Sequence, residues 1–332
     1  MTPRIMDASD PAAISKSAEI IRNGGLVAFP TETVYGLGAD AENPIAVAGI
    51  FEAKGRPRID PLIVHVSDLN MAECYGEFPE SAYPIIKKFW PGPLTLVVPK
   101  TKLIPSIVTA GLKTVALRSP AHPAALALIE ASGCGIAAPS ANPFGYISPT
   151  EAHHVAEQLS KNVDGILDGG PCAIGLESTI VSLVGNSPCI LRPGGMSIEE
   201  LEAYLGPLRV YNGSSLLPQA PGQLERHYAT STPLYILAED EEDEFGLLEK
   251  TGLLCLNKPN SPRRYEVVVQ LSEKGNMREA AANLFSSLRR LDSMGLDRII
   301  ARPVPAQGLG IAIMDRLRRC SVNRSTGHPL ES

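Results

Sequence analysis

Apolar positions in this chain fall into short runs and spaced stripes that alternate along its length. Asp10-Pro11 reads as an N-cap followed by proline at the first helical position. Ile14, Ala18 and Ile21 then keep helical spacing until Asn23-Gly24-Gly25 stops it. Leu26 to Phe29 is a short apolar strand ending at Pro30. Asn43-Pro44 repeats the helix start, Gly55-Arg56-Pro57 ends that helix, and Leu62 to Val66 is again strand-like. The pattern predicts a helix from Tyr83 to Trp90, broken by Pro91-Gly92-Pro93, then strands at Leu94 to Val98 and Thr114 to Arg118. A two-residue period puts Thr114, Ala116 and Arg118 on one face. His122 to Ser132 is helical, Gly135 to Ala138 a buried strand, and Ser148-Pro149-Thr150-Glu151 fits a capping box with proline at the first helical position. Strands follow around Gly165 to Leu167, Ser178 to Val184 and Cys189 to Arg192, and a helix from Ile198 to Leu205 closes the block. Helix and strand alternating over short connections point to an α/β layer architecture.

The rhythm lapses between Gly206 and Thr232, where Gly, Pro and Ser dominate and no period lasts. A linker of that length tends to have a job of its own. A second α/β block follows, with strands at Leu234 to Leu237, Leu253 to Leu256, Glu266 to Gln270 and Arg298 to Ala301. A long helix carries Met277, Ala281, Leu284, Leu288 and Leu291 as a core stripe. The acidic run Glu239 to Glu244 reads as a solvated loop. The expected division is residues 1–206, a linker at 207–232, and residues 233–332.

Composition narrows the function classes. The 332 residues are 44% hydrophobic and 20% charged, as for a soluble globular protein. No segment nears the roughly 20 apolar residues that span a bilayer, and MTPRIMDASDP lacks the apolar core of a secretory signal. A cytoplasmic protein with no membrane partner is the expectation. The six cysteines are scattered singly, with no C-x-x-C pair, and read as buried reduced thiols. A formal net charge of -6 argues against a broad grip on nucleic acid, so direct nucleic-acid binding is expected to be weak or absent.

The familiar nucleotide and hydrolase motifs are missing: no G-x-x-x-x-G-K-[ST], no G-x-G-x-x-G after a strand, no G-x-S-x-G and no H-E-x-x-H. Other polar residues sit at element ends. Lys54 and Arg56 flank Gly55 at a helix end, where they fit either a dipole-complementing last turn or a phosphate clamp. Ser140-Ala141-Asn142 follows a buried strand, at the kind of edge where α/β sheets open ligand crevices. Arg118 and Arg192 end strands of their own, and arginine offers forked donors to phosphate oxygens; surface ion pairing is the competing account of both. Ser148 serves as helix cap, anion site, or both. His65 alternates with Leu62, Val64 and Val66 and is either structural or functional. His153 and His154 read as unremarkable helix residues, and Glu177-Ser178-Thr179 as a strand start or a small-molecule pocket.

In order along the chain stand FPTETVYGLGAD (Phe29 to Asp40), KGRP (Lys54 to Pro57), PLIVHV (Pro61 to Val66), FWPGPLTLV (Phe89 to Val97), APSAN (Ala138 to Asn142), SPT (Ser148 to Thr150) and GLESTIV (Gly175 to Val181). Together they resemble the YrdC-like threonylcarbamoyl-AMP synthase family in its long two-domain form. The resemblance implies a YrdC-like twisted mixed sheet with helices and a smaller C-terminal Rossmann-like α/β domain. It also implies a nucleotidyltransferase reaction, in which L-threonine captures bicarbonate as a carbamate that attacks the α-phosphate of ATP. The product would pass to a separate tRNA threonylcarbamoyl transferase. Mg2+ is expected, held mainly by ATP oxygens and water.

By the same resemblance, Thr33, His65, Arg118 and Ser178 take threonine. Arg56, Asp60, Thr114, the backbone at Ala138, Ser140, Ser148 and Arg192 take ATP, while Lys54 and Asn142 complete the phosphate motif. Arg226-His227-Tyr228 resembles the family's linker motif, with Tyr228 reaching the nucleotide from a lid over the site. Two positions depart from the family pattern. Asp60 stands where Asn is usual, a carboxylate expected to repel phosphates, and Ala229-Thr230 stands where proline is usual. Related readings are a carbamoyl transferase using carbamoyl phosphate and a non-catalytic RNA-binding module.

Overall fold

A computed structural model describes residues 4–185, 187–211, 218–223, 228–237, 250–259 and 265–322. The chain divides into two compact units: Met1–Phe144 with Ser148–Leu224, and Gly145–Ile147 with Glu225–Ser332.

The first unit runs β1 (Arg4–Asp7), α1 (Pro11–Arg22), β2 (Val27–Phe29), β3 (Gly36–Asp40), α2 (Pro44–Lys54), β4 (Ile63–His65), α3 (Leu69–Tyr75), α4 (Ala82–Phe89), β5 (Leu94–Pro99) and β6 (Thr114–Arg118). It continues through α5 (Pro123–Ser132), β7 (Ile136–Ala137), α6 (Ala152–Leu159), β8 (Gly165–Asp168), β9 (Thr179–Ser182), β10 (Cys189–Arg192), α7 (Ile198–Leu205) and β11 (Arg209–Val210). Its strands form one mixed sheet in the order β1-β8-β2-β3-β7-β4-β6-β5-β9-β10-β11. The expected caps form. Asp10 accepts from the Ala12 N–H, and Asn43 from Ile45 and Ala46. Gly55 closes α2 in the left-handed region at φ 62°. Ser197 and Glu200 make a reciprocal capping box on α7.

The two faces of the sheet are covered differently, and that sets the position of the site. Val64, Leu117 and Val98 share one core cluster with residues of α2, α3 and α6. On the opposite face, α1 and α5 pack over Val27, Phe29 and Ile136. Farther along that face, Ile63, Val97, Ala116, Ile180 and Leu191 form a smaller cluster that contains no helical residue and is joined by Ala220. His65 pairs in register with Ile136 on one side and Arg118 on the other. It therefore stands where the helix-covered part of the face gives way to the helix-free part.

Several elements depart from the sequence expectations. The sequence reading places no strand between Pro30 and Asn43, yet β3 forms there, and the missing side chains of Gly36 and Gly38 are what its packing needs. A Cβ on Gly38 would meet Ile136 Cγ2 at 2.7 Å and Phe29 Cε1 at 2.8 Å. The capping box at Ser148 does not form. α6 begins at Ala152, after Glu151. The Pro149 carbonyl accepts from the Tyr35 N–H and the Thr150 carbonyl from Cys172, so ties to distant segments override the local signal. The expected linker is not one piece. β11 lies inside it and pairs parallel to β10, and residues 218–223 pack in the first unit through Ala220. Thr230 and Thr232 belong with the second unit, where the Ser231 and Thr232 N–H groups donate to Asp292. Arg226-His227 and the acidic run lie outside the described residues. Cys172, Cys255 and Cys320 are buried free thiols as expected, whereas Cys74 is exposed and Cys134 and Cys189 are half-buried.

The second unit is a parallel α/β layer: β12 (Leu234–Ile236), β13 (Thr251–Cys255), β14 (Val267–Gln270), α8 (Met277–Asp292), β15 (Arg298–Ala301) and α9 (Leu309–Cys320). Its strand order is β12-β15-β13-β14, all parallel. Among the described residues, no helix in either unit is long and apolar enough to cross a membrane.

Since α2 carries Lys54 on its last turn, its start is a test of the local reading. Asn43→Ala is expected to lower stability by about 1 kcal/mol, the usual worth of such a cap, read as a shift in the urea midpoint. An unchanged midpoint would show that the cap contributes nothing.

Candidate active site

Among the described residues of the first unit, four Lys and Arg side chains lie buried: Lys54, Arg56, Arg118 and Arg192. A buried charge is costly unless partners replace its water, so the partners define the geometry. Lys54 Nζ donates to the Ser140 carbonyl at 2.6 Å and to the Asn142 carbonyl. It ties down the loop after β7 that also bridges to β3 through Gly36 and Ser140. Burial, then the neighbouring Arg56 charge, holds the Lys54 ammonium well below its usual pKa.

Arg56 Nη2 stands 2.9 Å from an Asp60 carboxylate oxygen, while Nε and Nη2 donate to the carbonyls of Asp60 and Pro61. Asp60, expected to act as a repulsive carboxylate, is thus the buried partner of Arg56. Burial pushes its carboxyl up, against the pull of Arg56, Arg192 and Lys54, which places those three cations around it. Arg192 donates through Nη2 to the Ser178 carbonyl at 2.9 Å and to Ser178 Oγ at 3.2 Å. Its Nη1 donates to the Pro221 carbonyl at 3.3 Å, from the segment that follows β11.

Past the end of β4 the chemistry changes. Arg118 Nε donates to the Gly92 carbonyl at 3.2 Å and its Nη2 stands 2.8 Å from Glu32. The adjacent His65 meets the Phe29 ring edge-on at 5.8 Å. Burial, reinforced by the Arg118 charge, pushes its pKa down to about 3. The imidazole is therefore neutral, and its buried Nδ1 has no hydrogen-bond partner among the described residues. Thr33 Oγ1 lies 2.7 Å from Thr31 Oγ1, and Ser178 Oγ 2.7 Å from Thr95 Oγ1.

The remaining candidates are placed less directly. Ser148 Oγ donates to Glu177 at 2.6 Å instead of capping a helix. The Ala138 N–H is engaged by the Ile63 carbonyl at 2.8 Å. Asn142 Nδ2 donates to the Pro143 carbonyl at 2.8 Å. Thr114 shares the face of Arg118 but starts the strand that Arg118 ends, about 13 Å away at strand rise. Tyr228 lies in the second unit, buried at φ 69°. Its ring stacks on Phe285 at 5.4 Å, with the Arg316 guanidinium 5.2 Å from its centroid. Sequence reasoning missed Glu32, and it named Glu177 only within the Glu177-Ser178-Thr179 strand start or pocket, without its Ser148 partner. A carboxylate inside each of two quoted motifs was a visible signal, but their partners are distant in sequence.

The family model for Sua5, YciO and YrdC, described as telomere recombination, matches residues 19–194. A second model, described as threonylcarbamoyl-AMP synthase, C-terminal domain, matches residues 196–321. The chain belongs to the Sua5/YciO/YrdC family. It is 44% identical to a threonylcarbamoyl-AMP synthase of Bacillus subtilis, over 96% of this chain and 95% of the relative. Against the threonylcarbamoyl-AMP synthase of Pyrococcus abyssi the identity is 46%, over 92% and 93%. The crystal structure of P. abyssi Sua5 complexed with L-threonine superposes with a TM-score of 0.87, at 44% identity, covering 94% of this chain and 95% of that one. In this Sua5-type chain both family domains are therefore present, with the buried cations on the larger sheet.

The neutral state of His65 has a consequence for stability. The unfolded chain takes up a proton near pH 6.5, whereas the folded chain refuses it until about pH 3. Below pH 6.5 the unfolded state thus binds more protons, and His65 lowers stability as pH falls, by up to about 1.4 kcal/mol per unit. His65→Gln is expected to flatten the fall in urea midpoint between pH 7 and pH 5. Equal slopes in both proteins would refute the assignment.

Proposed function

We infer that this chain condenses L-threonine, bicarbonate and ATP to threonylcarbamoyl-AMP and pyrophosphate. The observation that carries the reading is the pairing across β4 and β6 of Arg118 with a neutral His65. His65 Nδ1 has no partner among the described residues, and Arg118 hydrogen-bonds there through Nε alone: Nη2 faces Glu32 at 2.8 Å outside hydrogen-bond geometry and Nη1 makes no hydrogen bond. Such a pair suits an amino-acid carboxylate, with the hydroxyls of Thr33 and Ser178 as further polar contacts. The similarity to threonine-bound P. abyssi Sua5 supports that end of the cleft.

ATP would lie toward the other end. Arg56 and Asp60 precede β4 and His65 ends it, and the strand is only three residues long, about 10 Å. Phosphates there meet Arg56, Arg192 and Lys54, with the hydroxyls of Ser140 and Ser148 and the Asn142 amide nearby; Thr114 and the Ala138 backbone line the nucleotide side. The threonine amine forms a bond to the bicarbonate carbon with loss of water. A carbamate oxygen then attacks the α-phosphate and pyrophosphate leaves. No protein nucleophile is needed, so the residues position the reactants and offset phosphate charge. Asp60 is committed to Arg56 and Glu177 to Ser148, so Mg2+ would be carried by ATP oxygens and water, where it neutralises phosphate charge. The mixed anhydride product calls for a separate transferase acting on tRNA.

Pyrophosphate release by the full chain is expected to require threonine, bicarbonate and ATP together. Release that instead needs carbamoyl phosphate would overturn the reading. Arg118→Ala should raise the threonine KM at least about tenfold, as loss of a charge-assisted contact does, and leave the ATP KM unchanged.

Asp60 gives a separate test. Its ionised carboxylate competes with phosphate for Arg56, so ATP affinity should rise as pH falls and Asp60 takes up a proton. Asp60→Asn is expected to keep or improve ATP affinity at neutral pH and to remove that pH dependence. A large loss of ATP binding in titration calorimetry would show that the carboxylate has a positive role.

A further inference from the structure

Glu32 stands inside the run from Phe29 to Asp40, buried, and its contacts all reach distant segments. One oxygen is 2.8 Å from Arg118 Nη2 and the other accepts from the Ala121 N–H at 3.0 Å. Its backbone carbonyl accepts from Ile174 at 2.8 Å. The residue thus links β3's leading segment to the end of β6 and to the stretch before β9. Arg118 has its Nε on Gly92 and its Nη2 in an ion pair with Glu32 that is not a hydrogen bond, while Nη1 has no partner among the described residues and is the nitrogen open to a ligand.

Two physical consequences follow. A guanidinium this buried would otherwise lack a counter-charge and would shift toward one; Glu32 removes that freedom. The charges at this end of the cleft also cancel, because Arg118 is cationic, Glu32 carries the opposite charge and His65 is neutral. A neutral end suits a zwitterion, while an uncompensated arginine would favour an anion.

We propose that Glu32 is a positioning residue for the amino-acid substrate, aiming Arg118 Nη1 at the threonine carboxylate and matching the site's charge to a zwitterion. The proposal rests on the functional reading above. Glu32→Gln retains an acceptor for the Ala121 N–H and nearly the same shape while removing the charge. Titration calorimetry on the full chain would use L-threonine, ATP and N-acetyl-L-threonine, an anion without an ammonium whose acyl group occupies the place of the carbamoyl carbon.

In Glu32→Gln, threonine affinity should fall about tenfold, as for loss of a charge-assisted hydrogen bond, with ATP affinity unchanged and N-acetyl-L-threonine bound more tightly than by wild type. Unchanged threonine affinity overturns the proposal. So does a joint loss for all three ligands, the mark of a scaffolding role. Should Glu32→Gln not fold, Glu32→Asp keeps the charge but draws it back by one methylene, and unchanged threonine affinity there overturns the proposal equally. If wild type itself binds no threonine, the functional reading falls and this proposal with it. If only the variant's behaviour fails, the functional reading stands.

Discussion

The first unit is organised around the cost of holding four cations out of water beside one sheet. Lys54, Arg56, Arg118 and Arg192 are each no more than 6% exposed. Desolvating a single ion costs several kcal/mol even after relaxation. The structure answers that cost with two carboxylates and a set of backbone carbonyls. Asp60 meets Arg56, and Glu32 meets Arg118. Ser140, Asn142, Pro61, Gly92, Ser178 and Pro221 present their carbonyl oxygens to the same four side chains. Each of those carbonyls lies on a connection between elements, so the cations fix the loops as much as the loops fix the cations.

This arrangement explains why the helix-free part of the sheet can exist at all. An uncovered apolar face of that size would be an exposed patch. Here Ile63, Ala116, Val97, Ile180 and Leu191 make a narrow floor, closed in part by Ala220 and edged by His65, Arg118 and the Thr95–Ser178 hydroxyl pair. The Gln223 side chain fastens the same 218–223 segment by donating to the Leu191 carbonyl and accepting from the Gln219 and Ala220 N–H groups. What reads in sequence as a linker is, at these residues, part of the floor's enclosure.

How far the sequence reveals this depends on the range of the interaction. α2 and α7 are legible nearly to the residue because Asn43-Pro44, Gly55 and the Ser197–Glu200 box act within one turn. β3 is not, since its glycines serve the ring of Phe29 on a neighbouring strand. α9 is also invisible: it starts at Gly308 with no side-chain cap and so carries no start signal. Ser148 misleads because its local motif is strong while the structure uses it against Glu177. At the site, the motifs reveal which residues gather, as with His65 beside Arg118. They do not reveal that Lys54 spends two donors on carbonyls or that Asp60 pairs with Arg56.

That last difference changes how ligand binding has to be understood. On the proposed reading, a triphosphate approaching these cations would meet side chains already engaged, so it would gain only the difference between its own oxygens and the partners they replace. Carbonyl partners are weaker than charged ones, so displacing the Ser178 and Pro221 carbonyls from Arg192, or the Ser140 and Asn142 carbonyls from Lys54, would cost less than displacing an ionised carboxylate. Arg56 is harder to recruit while Asp60 stays ionised. Any pull on Arg192 would also loosen its hold on Pro221, which ties its charge to the segment that encloses the floor. In this geometry, charge and enclosure are not separate devices: the Arg192 guanidinium that stands among the buried cations is also the one that fastens the wall at Pro221.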